Sequence, residues 1–353
     1  MNLTSIREID PSSFHVKGML GNTHIQSLLA SSKLRRRLKR KVSAKLIAHQ
    51  RDCLFDGGDG IRLHGIHSPQ PALNNSEKPD ETAPLVIMLH GWEGSAESTY
   101  LLSAASALYN QGFSILRLHL RDHGPSAHLN PDLFNAARLD EVVNAINDAQ
   151  TRLPYQNCYL VGFSLGGNFA LRISLQAKQQ AIDLQHVAAI SPVFSPKQTM
   201  HALESGSPLY RYYFLKKWKR ALSNKQAHFP DRYNFSDLLE SNSLMAMTCH
   251  LVEQHTEFSS VEDYFTRYTL DAKAFDDSAI PTDVILAADD PVIPVSGTEA
   301  FSSSQYFRLR IFKQGGHCGF IQNWRFESWL DQELIRLFSN QNKEFTHSLT
   351  SSL

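Results

Sequence analysis

The stretch GFSLG at residues 162–166 places a serine between two glycines, directly after a short apolar run and before a helical pattern. Residues 157–161 are suited to a buried strand, and residues 168–178 repeat their apolar positions as a helix does. The glycines allow neighbouring backbone to approach the turn without Cβ clashes. A strand, a sharp turn and a helix in this order are typical of a parallel sheet that carries an exposed serine at its edge.

The segments on both sides of this unit alternate between strand and helix patterns. The sequence predicts strands at 49–55, 61–67, 84–90, 113–120, 157–161, 186–190, 283–288 and 306–312, and helices at 98–110, 139–153, 168–178 and 324–338. The first two strands flank DGGDG at 56–60, which is typical of a hairpin. Because alternating strands and helices form parallel sheets with right-handed crossovers, we predict an α/β fold: a mostly parallel twisted sheet flanked by helices.

Two stretches interrupt the alternation and define the predicted domain organisation. Residues 195–279 contain no run that fits the sheet, and we predict a helical cap insertion because a structureless loop of that length is improbable. Residues 1–45 are predicted to form a basic, helical extension, residues 46–194 and 280–340 the α/β core, and residues 341–353 a disordered tail. Within the insertion, Tyr210, Phe214 and Trp218 form either one apolar stripe packed on the core or the lining of an acyl-chain pocket.

Composition restricts the class of protein. Of 353 residues 42% are hydrophobic, and the 35 basic side chains balance the 35 acidic ones, which argues against a nucleic-acid binder. The chain is long enough to bury a core without a disulfide or metal, and its four cysteines have no paired spacing. The longest apolar runs, such as residues 85–89, are far shorter than the roughly 20 residues that cross a bilayer.

These properties favour a cytoplasmic protein that is monomeric or dimeric. The basic run KLRRRLKRK at 33–41 leaves two alternatives open. It either contacts an anionic lipid surface, which would make the protein peripheral to a membrane, or it forms a solvated helix face.

A serine hydroxyl becomes a useful nucleophile only when a histidine accepts its proton and an acid orients that histidine. After a strand–turn–helix serine such as Ser164, the acid and the base follow along the chain in that order. The predicted strand at 283–288 ends at Asp289 and Asp290, where a carboxylate would point into the crevice at the carboxyl ends of the strands. His317 lies in a glycine-flanked loop after the last predicted strand. We therefore predict a triad of Ser164, His317 and one of the two aspartates.

When an activated serine attacks a carbonyl carbon, a tetrahedral oxyanion forms, and backbone N–H groups are needed to stabilise it. We predict the amide of Leu165, just after the serine, and the amide of Trp92, in the loop HGWEGS at 90–95. His90 and Gly91 in that loop, together with Phe163, are predicted to contact the substrate.

A competing interpretation makes His90, His119 and His123 a metal site. These histidines follow two different strands, and their spacing is not typical of metal ligands. We therefore predict neither a metal nor a cofactor.

The chain resembles the α/β-hydrolase superfamily and, more narrowly, its YheT-type branch, also called hydrolase family 4. The resemblance spans about residues 20–338 and is carried by GNTHIQSL at 21–28, HGWEGS at 90–95, GFSLGGN at 162–168, ADDP at 288–291 and GGHCGF at 315–320. It implies a serine esterase or lipase that acts on small-molecule or lipid esters through an acyl-enzyme, without a cofactor. The spacing of Asp290 from Pro294 resembles the D-x-x-x-P of related hydrolases, so we choose Asp290 as the acid and keep Asp289 as the alternative.

The resemblance has a departure and leaves alternatives for the function. The segment RDHGPS at 121–126 replaces the Arg-Gly-x-Gly of many relatives, so Asp122 is expected at the rim of the pocket. An acyltransferase or a thioesterase would use the same triad, and a non-catalytic, membrane-associated binding protein could keep the same fold.

Overall fold

The computed structural model describes residues 14–71, 80, 82–153 and 155–350, and of residues 340–350 only the backbone. In these ranges eight strands form one sheet: β1 Arg51–Asp56, β2 Arg62–Ser68, β3 Leu85–Leu89, β4 Ser114–Leu118, β5 Cys158–Phe163, β6 His186–Ile190, β7 Thr282–Ala287 and β8 Phe307–Phe312. Their order across the sheet is β1-β2-β4-β3-β5-β6-β7-β8. The β1–β2 and β2–β4 pairs are antiparallel and the others parallel. The predicted α/β fold class and its mostly parallel sheet are confirmed.

Twelve α-helices surround this sheet within the described residues. They are α1 Thr23–Ser31, α2 Lys33–Val42, α3 Ala44–Ala48, α4 Thr99–Tyr109, α5 Leu139–Arg152, α6 Leu165–Gln176, α7 Pro196–Ser205, α8 Pro208–His228, α9 Ser236–Glu240, α10 Leu244–His255, α11 Val261–Tyr268 and α12 Trp329–Thr350. Short 3₁₀ turns cover Gly18–Gly21, Ala272–Phe275 and Val295–Thr298.

The central strands are apolar because both of their faces are covered. Every residue of β3, β5, β6 and β7 is buried. On one face, side chains of α4, α12 and the N-terminal segments form one core cluster, with Leu101, Leu334 and Leu46 among its members. On the other face, α5 and α6 form a second cluster that continues into the helices after β6.

The predicted cap lies between β6 and β7, where the chain forms the five helices α7–α11 and, in this fully described stretch, no strand. Tyr210 and Phe214 of α8 are buried, and Trp218 is partly buried against the same core. These three residues pack against the core as one stripe, and Phe214 and Trp218 also line a cavity that is described below, so the structure agrees with both alternatives. We call residues 195–279 the insertion; its behaviour as a separate domain stays a prediction.

Two helices differ from the predictions. The helix predicted at 168–178 begins at Leu165, immediately after the serine turn. The helix predicted at 324–338 begins at Trp329, because residues 323–327 form a turn in which the Asn323 side chain accepts the backbone N–H of Arg325. This helix then continues to Thr350, into the tail predicted at 341–353, and residues 341–350 contain no proline or glycine to stop a helix. Residues 351–353 lie outside the described ranges.

The basic run at 33–41 forms most of α2, and most of its side chains are exposed. Arg35 is the exception, since its guanidinium is buried and donates to Ala30 O, Phe326 O and Ser103 Oγ. Contact of this helix with anionic lipid stays a prediction. Residues 1–13 of the predicted extension lie outside the described ranges.

A buried lysine joins the insertion to the core. The Lys225 ammonium of α8, only 1% exposed, donates to Asp122 Oδ1 at 2.7 Å, Asn130 O at 2.5 Å and Asp132 O at 3.1 Å. The other carboxylate oxygen of Asp122 accepts the backbone N–H of Phe134 at 2.8 Å. Burial lowers the pKa of Lys225 and raises that of Asp122, and their mutual contact opposes both shifts. The Asp122 that departs from the family pattern therefore fixes the loop after β4 to α8.

We predict that Lys225→Met lowers the free energy of unfolding by about 3–5 kcal/mol, because it leaves the buried Asp122 carboxylate without a counter-charge. Denaturant unfolding followed by circular dichroism measures the change. The double variant Lys225→Met/Asp122→Asn should recover part of the loss. Lys216→Met, at an exposed position of the same helix, should change stability by less than about 0.5 kcal/mol. Equal stabilities of Lys225→Met and Lys216→Met would contradict the proposed role of the buried ion pair.

Candidate active site

Ser164 lies at the sharp turn between β5 and α6. Its backbone is left-handed, with φ 54° and ψ −119°, and its N–H donates to Ile190 O at 2.8 Å. A Cβ on Gly162 would lie 2.1 Å from Gly166 O, and one on Gly166 would lie 2.5 Å from Leu89 O. Only glycine fits at both positions, which explains the GFSLG pattern. The turn presents the Ser164 hydroxyl at the carboxyl edge of the sheet, at the amino terminus of α6.

The structure brings together the three predicted triad residues. His317 Nε2 lies 3.0 Å from Ser164 Oγ, and His317 Nδ1 lies 2.9 Å from Asp290 Oδ2. The other oxygen, Asp290 Oδ1, accepts the backbone N–H groups of Val292 and Ile293 at 2.8 and 3.0 Å. The carboxylate is thereby fixed in orientation. This geometry allows a proton to pass from the serine hydroxyl to the imidazole while the carboxylate holds the other ring nitrogen.

Asp289, the alternative acid, has a different set of contacts. Its Oδ1 accepts the backbone N–H of Gly316 at 2.9 Å, and its carbonyl oxygen accepts the Thr23 hydroxyl at 2.5 Å. These contacts are those of a turn residue that joins two loops.

The electrostatic environment favours a protonated imidazole. Burial acts to lower the pKa of His317, but the adjacent Asp290 carboxylate, with a contribution from Cys318, outweighs it and raises the pKa well above 6.5. An imidazolium that forms during proton transfer is thus stabilised where it is needed.

The predicted oxyanion donors, the amides of Trp92 and Leu165, flank Ser164. Within the part of the chain that the structure describes, neither N–H donates a hydrogen bond. The neighbouring Gly91 N–H is already used, because it donates to the Tyr100 hydroxyl at 3.0 Å. Gly91 also lies so close to the nucleophile that a Cβ there would be 2.9 Å from the Ser164 Cβ. The role of the two amides as oxyanion donors stays a prediction.

The loop at 90–95, which contains Trp92, is held in place by side chains from other segments that the sequence did not connect with it. The backbone N–H of Glu93 donates to His123 Nε2 at 3.1 Å, and the Glu93 carbonyl accepts the Lys217 ammonium at 2.6 Å. The next turn is fixed by the Ala96 N–H, which donates to His119 Nε2 at 3.0 Å. Glu93 needs this support because its φ is +54°. The HGWEGS pattern located the loop, but its partners come from distant segments that local sequence cannot identify.

The three histidines of the alternative metal site do lie together, yet their ring nitrogens are occupied. His90 Nδ1 contacts Gly91 O, and its Nε2 accepts the Leu120 N–H. His123 uses Nδ1 on Arg121 O and Nε2 on Glu93 N–H. His119 uses Nδ1 on His64 and Nε2 on Ala96 N–H. Among the described residues no cluster of three metal-binding side chains is present. These contacts make the histidines structural supports of the loop.

Two cavities meet at Ser164. The larger, which we call the apolar chamber, measures about 1210 Å³ including its opening, and lies mainly between the insertion and the sheet. The smaller, the polar chamber, measures about 570 Å³ including its opening. Ser164, Trp92 and Phe214 line both, and the rings of Trp92 and Phe214 stack at 5.2 Å. Trp218 contacts the same indole at 5.0 Å.

His90 and Phe163, which were predicted to contact the substrate, lie outside both chambers. Both side chains are buried, and neither lines the apolar or the polar chamber. His90 is engaged with backbone, and Phe163 packs against Tyr100 at 4.9 Å. Gly91 does line the polar chamber. Adjacency to the nucleophile in sequence suggested contact, but the pleat of β5 directs Phe163 into the core.

The N-terminal helix α1 holds the loops that carry the acid and the base. Ser27 Oγ accepts the backbone N–H of His317 at 2.8 Å, and Thr23 bonds Asp289 as described above. The Gln26 side chain, fully buried, donates to Ile321 O at 2.9 Å and accepts Ile321 N–H at 2.7 Å. In the sequence this segment carried no signal of its own beyond the GNTHIQSL pattern of the resemblance, which contains Thr23, Gln26 and Ser27.

The described residues include no helix that is both long and apolar enough to span a membrane.

Comparison with known proteins agrees with this architecture. The family described as alpha/beta hydrolase fold matches residues 84–323. Similar curated proteins include the monoacylglycerol lipase of Saccharomyces cerevisiae, 22% identical over 82% of this chain and 66% of that protein. The putative esterase YheT of Escherichia coli is 22% identical over 85% of this chain and 84% of that protein. Human protein ABHD15 is 26% identical over 72% of this chain, which spans only 54% of its length.

Solved structures with the same fold include a membrane phospholipase A described as a bacterial virulence factor, with a TM-score of 0.55, 14% identity, and coverage of 88% of this chain and 93% of that one. The Pyrococcus furiosus esterase Pf2001 gives a TM-score of 0.53 at 15% identity, covering 86% and 92%. At this identity the structures show the fold alone. The family match, the elbow and the sheet order lead to one conclusion: the chain belongs to the alpha/beta hydrolase fold family.

Proposed function

We propose that the protein hydrolyses carboxylic esters through an acyl-enzyme on Ser164. The observation that carries this proposal is the unbroken contact from Ser164 Oγ to His317 and on to Asp290, at 3.0 and 2.9 Å. The names of several relatives, a monoacylglycerol lipase and a putative esterase, support the same class of reaction.

In the first half of the proposed reaction, Ser164 Oγ attacks the ester carbonyl carbon while His317 Nε2 accepts its proton. Asp290 keeps the Nδ1–H tautomer and stabilises the imidazolium. The amides of Trp92 and Leu165 donate to the tetrahedral oxyanion, each contributing on the order of 3 kcal/mol. His317 then returns the proton to the alkoxy oxygen as the carbon–oxygen bond breaks, and the alcohol leaves.

In the second half, a water molecule repeats the attack on the acyl-enzyme. His317 accepts the water proton, the bond to Ser164 Oγ breaks, and the proton returns to the serine as the free acid departs. The acyl chain fits the apolar chamber, whose lining includes Leu203, Leu222 and Val252 from the insertion. We therefore propose esters of apolar acyl chains as the substrate class.

We predict that Ser164→Ala lowers kcat on p-nitrophenyl acyl esters by about 10⁶-fold and abolishes labelling by a fluorophosphonate probe. Hydrolysis rates over a series of acyl lengths and gel fluorescence of the probe are the measurements. The control Ser205→Ala changes an exposed serine of α7 and should leave both kcat and labelling by the probe unchanged. Full turnover by Ser164→Ala, or a native chain that the probe never labels, would reject the nucleophile. Adding alcohols or thiols to the native enzyme separates hydrolysis from acyl transfer by the product formed.

The paired aspartates provide a pH test. A base must be neutral to accept the proton, so kcat/KM of the native protein should rise with pH, with a midpoint above 6.5, the ordinary pKa of histidine. Asp290→Asn removes the charge that raises this pKa, so the midpoint should move to lower pH and kcat should fall by about 10⁴-fold. Asp289→Asn, which keeps an oxygen for Gly316 N–H, should leave the midpoint in place. A larger shift in Asp289→Asn than in Asp290→Asn would reverse the assignment.

The support from α1 yields a matched pair of serine variants. Ser27 and Ser205 each donate to the carbonyl four residues earlier, at 2.8 and 2.7 Å, but only Ser27 also accepts the His317 N–H. An amide left without an acceptor costs about 1–3 kcal/mol, so Ser27→Ala should lower kcat about tenfold while KM stays similar. Ser205→Ala should change neither constant. Steady-state kinetics on one p-nitrophenyl ester measures both, and equal kinetics of the two variants would contradict a positioning role for Ser27.

A further inference from the structure

The two chambers are not equivalent with respect to the proton path. His317 lines the polar chamber and not the apolar one, whereas Leu165, with its oxyanion amide, lines the apolar chamber and not the polar one. In the proposed reaction His317 must hand its proton to the leaving alcohol, so the alcohol has to lie on the histidine side. The polar chamber is therefore the place for the alcohol half of the ester.

The lining of the polar chamber is cationic. Arg36 from α2 and Lys217 from α8 contribute to it, and none of the described aspartates or glutamates does. Within the described part of the chain neither cation forms an ion pair with a carboxylate. Arg36 donates to the Glu97 carbonyl oxygen, and Lys217 donates to the Glu93 carbonyl oxygen. Both partners are neutral backbone groups, and the Lys217 ammonium also lies over the Tyr213 ring, 5.0 Å from its centroid.

The nearby carboxylates do not remove this charge. The Glu97 carboxylate lies near two other arginines, 3.4 Å from Arg117 and 3.9 Å from Arg40. Glu93 lines the apolar chamber, where burial raises the pKa of its carboxyl to about 7 in spite of Lys217. An anionic group on the substrate would meet Arg36 and Lys217 in the polar chamber, whereas the mostly apolar lining of the other chamber disfavours a charge.

The remaining lining suits a group with several acceptor oxygens. Ser31, Ser98 and Tyr213 bring hydroxyls to the same chamber. Further basic side chains lie along α2 and α8, the two helices that border this chamber, but they do not line it. These exposed residues include Lys33, Arg37, Lys216 and Arg220.

We propose that the polar chamber binds an anionic group, best matched by a phosphate monoester, on the alcohol half of the substrate. The preferred ester would then join an apolar acyl chain to a phosphorylated alcohol, with Arg36 and Lys217 as specificity-determining residues. This inference rests on the proposed ester hydrolysis and narrows its substrate class.

The test compares two esters that share one octanoyl chain, octanoyl glycerol and octanoyl glycerol phosphate, both below their critical micelle concentrations so that no lipid surface takes part. The readout is the ratio of their kcat/KM values, because a variant that merely disturbs the site lowers both rates together. The native protein should prefer the phosphate ester by at least about tenfold, mainly through KM. Octanoyl glycerophosphocholine has a phosphate diester and a headgroup without net charge. Its kcat/KM should therefore be close to that of octanoyl glycerol.

The variants assign the preference to the chamber. Lys217→Gln, at a half-buried position, should lower the ratio by about tenfold, and Arg36→Gln, at an exposed one, by about threefold. Arg37→Gln removes an exposed charge from the same helix outside the chamber and should leave the ratio unchanged. A native ratio near one, or a ratio that falls equally in Arg37→Gln, would overturn the anion site while leaving Ser164-dependent hydrolysis standing. Failure to cleave either octanoyl ester or any p-nitrophenyl ester would instead overturn the proposed function, and the anion site with it.

Discussion

The structure depends on the close approach of backbone at the turn that carries Ser164. Its left-handed φ of 54° costs on the order of 1–3 kcal/mol, and a fully packed surrounding is needed to hold it. That surrounding is the contact of Gly166 with the carboxyl end of β3, together with the hydrogen bond from Ser164 N–H to Ile190 O of β6. Three neighbouring strands thus determine where one hydroxyl lies. The apolar, doubly covered sheet is what makes this position rigid.

The sheet and the elbow could be predicted from the sequence because their causes are local. A strand buried on both faces must be apolar along its length, and a turn without room for Cβ atoms must contain glycine. The order of Ser164, an aspartate and His317 along the chain then limited the candidates for the triad. Which of Asp289 and Asp290 contacts the imidazole is a matter of side-chain direction at one turn, and family spacing, not local physics, indicated the choice.

The features that sequence missed are those whose cause lies far along the chain. The spacing of His90 and His123 argued against a metal site, but it could not show that their ring nitrogens bond backbone groups of loops that only the fold brings near. Gln26 and Ser27 sit some 290 positions before the loop they support. The extent of α12 was missed for a different reason: its last residues are polar, yet nothing among them interrupts helical hydrogen bonding.

The insertion and the N-terminal helices complete the site by making its two sides chemically different. Lys217 bonds the carbonyl of Glu93 in the loop at 90–95 and also lines the polar chamber, so one ammonium contributes both to the shape of that loop and to the charge of that chamber. Consider an ester that binds in the opposite orientation, with its alcohol half in the apolar chamber. Under the proposed reaction its leaving oxygen would lie away from His317 and could not receive the proton. The path of the proton then selects the orientation of the ester, and the affinities of the two chambers need only favour the same orientation. A basic chamber on the histidine side and an apolar one on the other side would provide that agreement.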